Sequence, residues 1–123
     1  MFVLDTNILI YYAAGDERTV RFLAGALERG TPLLISTITV VEFLSYPALA
    51  KRERSFFTLL LPSLRVINVD YPIAATAAEV RRLYGLKLGD SVIAATALAV
   101  GGTLVTRNVK DFRKVPSLSF RAI

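Results

Sequence analysis

Short apolar runs recur along this chain, and each is followed by a segment with helical spacing. Phe2-Val3-Leu4 precedes a candidate helix from Ile8 to Ala13. Pro32 to Ile35 precedes one that Ser36 or Thr37 can cap, running to about Tyr46. Leu64 to Val69 precedes one that Asp70 can cap, and Thr103 to Val105 precedes a single turn from Asn108 to Phe112. A continuous apolar run of this length suits a strand buried on both faces. Strands that alternate with helices are joined by crossovers, which predicts an α/β domain with a mainly parallel sheet. With 123 residues the chain is one domain's worth, so residues 1–123 are expected to form a single domain with a core large enough to need no staples.

The remaining punctuation fits this alternation. Gly15-Asp16 breaks the chain. Asp16 is a fair cap for a helix from about Glu17 to Arg29 with Val20, Leu23, Ala24 and Leu27 on one face, closed by Gly30. Ala48 to Leu61 reads as a helix stopped by Pro62. After Asp70, Pro72 sits in the first turn and Ile73, Ala77, Val80 and Tyr84 share a stripe that ends at Gly85. Gly89-Asp90 opens an alanine-rich helix to Val100, whose small Ala94, Ala95, Ala97 and Ala99 permit close approach to a sheet. Leu118 to Phe120 is expected as a last short strand.

Four acids stand just past these runs or within the helices that follow them: Asp5, Glu42, Asp90 and Asp111. In a parallel sheet, ligands bind beyond the carboxyl ends of the strands, so all four can gather at one edge. Converging carboxylates repel one another and call for a cation. Oxygen ligands without His or Cys suit a hard ion such as Mg²⁺ or Mn²⁺. Each acid also has a plainer use. Asp5 and Asp90 could be helix caps or first-turn acids, Glu42 the partner of Thr39 in a capping box, and Asp111 a solvated charge in the basic run Arg107 to Lys114.

Composition narrows the chemistry. The chain has no His and no Cys, which removes Ser-His-Asp and Cys-His catalysis, zinc sites built on those residues, and disulfides. Missing cysteine fits a cytoplasmic protein. The net charge of +5 favours a polyanionic partner. No apolar run approaches the length of a membrane span, and the N-terminus lacks the basic start of a secretory signal. The apolar fraction of 54% is high for so small a domain, and predicts an interface with a second copy or another chain. Tyr11, Tyr12, Phe56, Phe57 and Leu60 are the candidate anchors.

Four stretches in order, Leu4-Asp5-Thr6-Asn7-Ile8-Leu9-Ile10, Ser36-Thr37-Ile38-Thr39-Val40-Val41-Glu42-Phe43, Asp90-Ser91-Val92-Ile93-Ala94-Ala95-Thr96-Ala97 and Leu104-Val105-Thr106-Arg107-Asn108-Val109-Lys110-Asp111-Phe112, resemble the motifs of PIN-domain ribonucleases. They are most similar to the toxin subunits of VapBC-type toxin–antitoxin pairs. The resemblance spans nearly the whole chain. It implies a three-layer α/β/α sandwich with a five-stranded sheet in the order 3-2-1-4-5. It also implies a Mg²⁺- or Mn²⁺-dependent endoribonuclease. Asp5, Glu42 and Asp90 match the family's metal-site acids and Asp111 its less regular fourth acid, which implies a catalytic set of all four with the metal held by Asp5, Asp90 and Asp111 and Glu42 nearby. Asn7, Thr106 and Asn108 fall at supporting positions, and Asn108 stands where some members place an acid.

The implied reaction is hydrolysis of an RNA phosphodiester by water activated at the ion, leaving a 5′-phosphate and a 3′-hydroxyl. Lys51, Arg52, Arg54, Arg107, Lys110, Arg113 and Lys114 are the candidates for holding the strand. The implied partners are RNA, a cognate antitoxin and a second copy of the chain, with no membrane. Three other readings stay open: a stand-alone RNA-processing nuclease, a nucleic-acid-binding module without catalysis, and a phosphotransferase with Asp5 as nucleophile.

Overall fold

The computed structural model describes residues 1–123. Five strands, β1 (Phe2–Leu4), β2 (Leu33–Ser36), β3 (Arg65–Ile67), β4 (Thr103–Thr106) and β5 (Phe120–Ala122), form one sheet in the order β3-β2-β1-β4-β5. Every neighbouring pair is parallel, with Val3 opposite Leu34 and Leu104. The helices are α1 (Thr6–Ala13), α2 (Glu17–Glu28), α3 (Thr37–Leu44), α4 (Lys51–Leu60), α5 (Tyr71–Tyr84), α6 (Leu88–Val100) and α7 (Val109–Phe112). None is long and apolar enough to cross a membrane.

The central strands β1, β2 and β4 are largely apolar because both faces are covered, while the edge strands β3 and β5 carry the exposed Arg65 and Arg121. Alternate residues go to opposite layers. Leu4, Leu33, Ile35 and Val105 join Ile8, Leu9, Leu23, Phe43, Phe57 and Leu60 of α1 to α4. Val3, Leu34 and Leu104 join Val80, Ile93, Ala94, Ala97 and Phe112 of α5 to α7. The result is a three-layer sandwich with a separate core on each side of the sheet. Ala94, Ala95 and Ala97 are fully buried, so the small side chains of α6 do bring that helix onto the sheet, whereas Ala99 faces solvent.

Several boundaries differ from those expected. α1 starts at Thr6, two residues before the expected Ile8, with Asp5 at its N-cap position. The buried stripe of α2 is Thr19, Leu23 and Ala26. Val20 and Leu27 are exposed, because α2 is turned to place Thr19 inward, where its hydroxyl meets Asp16 and Arg107. Pro62 does not end α4 abruptly but sits in a 3₁₀ turn, Leu61–Ser63, which needs no amide hydrogen from it. α4 begins at Lys51, three residues later than expected, with Ala50 as an N-cap residue that makes no side-chain bond. β5 lies two residues later than expected: Leu118 is drawn into the core beside Phe112 and Val115, and the pairing with β4 starts only at Phe120. The phase of α4 also divides the proposed anchors. Phe57 and Leu60 are core residues, while Phe56 and Leu59 point outward.

Candidate functional site

The strand order runs outward from β1 in one direction through β2 and β3, and in the other through β4 and β5. The crossovers therefore part company between β1 and β4, leaving a crevice at their carboxyl ends. Asp5 sits there. Its backbone N–H donates to the carbonyl of Val105 at 3.0 Å, which carries the β1–β4 ladder one residue past β1. Its side chain makes no cap bond to α1. Instead Thr106 Oγ1, fully buried at the end of β4, donates to Asp5 Oδ2 at 2.8 Å, and Thr106 Oγ1 accepts from the Asn108 backbone N–H at 2.9 Å. Asp5 is thus held by a relay anchored in the turn after β4.

Glu42 reaches the same crevice from α3. Phe43, next along the chain, is buried and stacks on Phe57 with ring centroids 4.7 Å apart, which fixes the rotation of α3. Glu42 Oε1 accepts from Thr6 Oγ1 at 2.7 Å. Glu42 is not part of a capping box. Ser36 is the N-cap residue of α3 and accepts from the Ile38 N–H, while Thr39 is buried with its hydroxyl 3.4 Å from that of Thr6. Asp90 lies in the first turn of α6. Asp5, Asn7, Glu42 and Asp90 line one small cleft of about 230 Å³, together with Thr6, Ile10 and Tyr46.

Asp111 stands apart. It does not line the cleft. Its Oδ2 accepts from Asn108 Nδ2 at 3.0 Å, and its Oδ1 lies 3.5 Å from Lys114 Nζ. Asn108 and Asp111 are therefore bonded to each other at the rim.

Electrostatics separates the same groups. Asp5 is 2% exposed, and burial, with repulsion from Asp90 and Glu42, pushes its pKa up to about 6 against the opposing bond from Thr106. Burial, then Glu42 and Asp111, also raise Asp90. Asp111 is lowered, first by the Asn108 bond and then by Lys114. The cleft thus holds carboxylates that repel one another and have no basic side chain bonded to them, and a second cluster at the rim is already neutralised. As they stand, no three acidic side chains gather at ion-binding spacing, and like charges sharing one cleft are expected to stand apart. The donor set nonetheless fits a hard divalent cation: it is all oxygen, anionic and partly desolvated.

Among the basic candidates, Arg107 is committed inward. It pairs with Asp16, donates to Thr19 Oγ1 at 3.0 Å, and stacks 4.0 Å over the ring of Tyr11. Lys114 is beside Asp111, Arg52 lies 5.6 Å over Phe56, and Lys51, Arg54, Lys110 and Arg113 are exposed. Sequence reasoning passed over Thr6 as a holder of Glu42, although a hydroxyl directly after Asp5 was a signal. It also missed Tyr46, whose ring on the cleft wall lies beyond the end of α3 and carried no sequence signal.

Comparison with known proteins places these residues in context. The PIN domain family matches residues 2–118. A Rickettsia felis protein named Ribonuclease VapC2 is 28% identical over 96% of this chain and 94% of its own length. The solved toxin–antitoxin complex from Klebsiella pneumoniae contains a chain that is 34% identical, with a TM-score of 0.80 over 96% of this chain and 95% of that one. A chain in the DNA-bound VapBC2 structure from Rickettsia felis superposes with a TM-score of 0.85 at 24% identity, covering 99% of this chain and 98% of that one, a likeness of fold.

Proposed function

The chain belongs to the PIN-domain family, and we propose from that premise that it is an endoribonuclease working with Mg²⁺ or Mn²⁺, the toxin of a toxin–antitoxin pair acting in the cytoplasm. The observation that carries the reading is the cleft at the β1–β4 crevice, which Asp5, Glu42 and Asp90 line without a salt bridge, with only the nearby charge of Lys87 opposing at Asp90, and where Asp5 is pushed up to about 6. Such an arrangement destabilises the folded chain unless something positive binds there. The curated relative is named a ribonuclease, and the 34%-identical neighbour is part of a toxin–antitoxin complex, which supports both the activity and the partner.

Asp5 and Asp90 would hold the ion directly, and Asp111 would reach it from the rim only by giving up its bond to Asn108. A divalent cation held there supplies a Lewis acid that makes water more acidic and offsets charge on the phosphate. Thr106 orients Asp5 through Oδ2, and Thr6 orients Glu42 through Oε1. Glu42 Oε2 is left to accept a proton from the attacking water. Since the chain has no His, no imidazole pair is present to drive attack by a ribose 2′-hydroxyl, and hydrolysis should leave a 5′-phosphate and a 3′-hydroxyl. Exposed Lys51, Arg54, Lys110 and Arg113 would carry the RNA backbone. Exposed apolar side chains, among them Leu59, Tyr71, Leu83 and Leu88, offer surface for an antitoxin segment or a second copy.

The test is RNA cleavage by the purified chain in Mg²⁺ or Mn²⁺, stopped by EDTA, with the products' ends determined. Expression should arrest growth, and co-expression of a cognate antitoxin should relieve it. Cleavage that persists in EDTA, or in Asp5→Asn, would contradict the reading.

A further inference from the structure

Gly89 has no conformational reason to be glycine. Gly15, Gly30, Gly85 and Gly101 all adopt positive φ, and Gly89 does not. It lies in the first turn of α6, where alanine would favour the helix. What sets it apart is its neighbour. A β-carbon at Gly89 would lie 2.9 Å from Glu42 Cδ and 3.3 Å from Oε1, and closer still to Oε2. The bare backbone of α6 is therefore the wall against which the Glu42 carboxylate rests. On the other side, Thr6 Oγ1 donates to Oε1. Negative charge is favoured at this end of α6, where the first N–H groups lack helical partners.

We infer that Gly89 is a positioning residue for Glu42: its missing side chain is the space the carboxylate occupies between α6 and Thr6, and filling that space swings Glu42 out of the cleft it shares with Asp5 and Asp90. The obstructed atoms are the end of a flexible side chain and not backbone, so the collision is relieved by a rotamer change of Glu42 and leaves α6 in place. The consequence for catalysis rests on the ribonuclease reading; the geometric claim does not.

The experiment compares four full-length proteins, wild type, Gly89→Ala, Glu42→Asp and the double variant, by thermal unfolding in EDTA and in Mn²⁺ and by RNA cleavage in Mn²⁺. Aspartate at 42 retracts the carboxylate by one methylene and so clears a β-carbon at 89. Gly89→Ala is expected to unfold in EDTA at or above the wild-type temperature, to show a smaller Mn²⁺-induced rise, and to cleave on the order of 10–100-fold more slowly, the scale of a misplaced catalytic group. In the Glu42→Asp background the same substitution should change cleavage by less than about twofold, since the coupled partner has already withdrawn. A Gly89→Ala protein with wild-type cleavage and Mn²⁺ response would overturn the inference. So would equal losses in both backgrounds, which would mean that the substitution acts through α6 or Asp90. If the wild type binds Mn²⁺ but cleaves no RNA, the ribonuclease reading fails alone, and the Mn²⁺-induced rises still decide the role of Gly89. A wild type that neither responds to Mn²⁺ nor cleaves would overturn both.

Discussion

Asp5 and Asp16 hold the same position at the starts of consecutive helices, α1 and α2, and behave oppositely. Asp16 caps its helix. Its Oδ2 accepts from the N–H of Thr19 at 3.0 Å and the hydroxyl of Thr19 at 2.8 Å, and it pairs with Arg107. Thr19 first, and then Arg107, hold its carboxyl below the usual range. Asp5 leaves its helix uncapped, turns to Thr106, and is pushed up to about 6 by burial and, behind that, by the two acids beside it. A capping aspartate satisfied by its own helix and an arginine is structural. One that gives up the cap, is desolvated and faces like charge lowers stability locally, and that cost points to a ligand.

The largest expected contrast is in activity. Asp5→Asn should abolish cleavage while keeping the Thr106 bond, because the amide oxygen can still accept it. Asp16→Asn should leave cleavage per folded molecule close to wild type. A steady-state assay normalised to folded protein checks both, and comparable losses would erase the distinction between the two caps.

A smaller effect is expected one step out. Thr106→Val removes the hydroxyl that lowers Asp5 and that also accepts from the Asn108 N–H. Asp5 should then ionise at still higher pH, so the pH at which Mn²⁺ binding sets in should rise. The folded state should lose on the order of 1 kcal/mol, because the part-buried Asn108 N–H loses its acceptor. Calorimetric Mn²⁺ titrations between pH 5 and 8, with denaturant unfolding, measure both. An unchanged pH dependence would mean that the relay does not tune Asp5.

Smaller still is the response at the rim. Asp111→Asn should reduce cleavage less than Asp5→Asn or Asp90→Asn, since Asp111 is occupied by Asn108 and Lys114 and lies outside the cleft. Equal loss would make it a primary ligand. The smallest effect is stability without chemistry: Asp16→Ala should lower the unfolding midpoint by a few degrees through the lost cap and Arg107 pairing, seen by circular dichroism.

Much of this contrast was legible in the chain. The apolar runs marked β1, β2 and β4 because strands buried on both faces show no alternation, and Asp16, Asp70 and Gly85 marked helix ends by chemistry that is local. Asp5, Glu42 and Asp90 could be assigned to one edge because a parallel sheet puts all its strand ends there. What depended on side-chain packing across the fold was not legible. The rotation of α2 follows from Thr19 meeting Arg107, 88 residues away in the sequence. β5 slipped because Leu118 joined the core in place of pairing. Arg107 looked like a free cation until Asp16 and Tyr11 enclosed it. Neither Asp5 nor Asp16 announced from its neighbours alone which of them would keep its cap.

The central claim is that burying Asp5 in a cleft shared with Glu42 and Asp90 carries a cost, from desolvation first and like-charge repulsion second, that a divalent cation relieves. Its most direct test is thermal and denaturant unfolding of wild type and Asp5→Asn from pH 4 to 8, in EDTA and in Mn²⁺. Asp5 has a folded pKa of about 6, above the ordinary aspartate value of 3.8. Between these values the folded chain binds more protons than the unfolded one, so wild-type stability in EDTA should fall as pH rises through that window, by on the order of 2–3 kcal/mol from this group. Mn²⁺ should restore that loss at neutral pH. Asp5→Asn should lack this fall, be the more stable protein in EDTA at pH 7, and gain little from Mn²⁺. An Asp5→Asn protein that is less stable in EDTA at pH 7, or that gains as much from Mn²⁺ as the wild type, would contradict the claim.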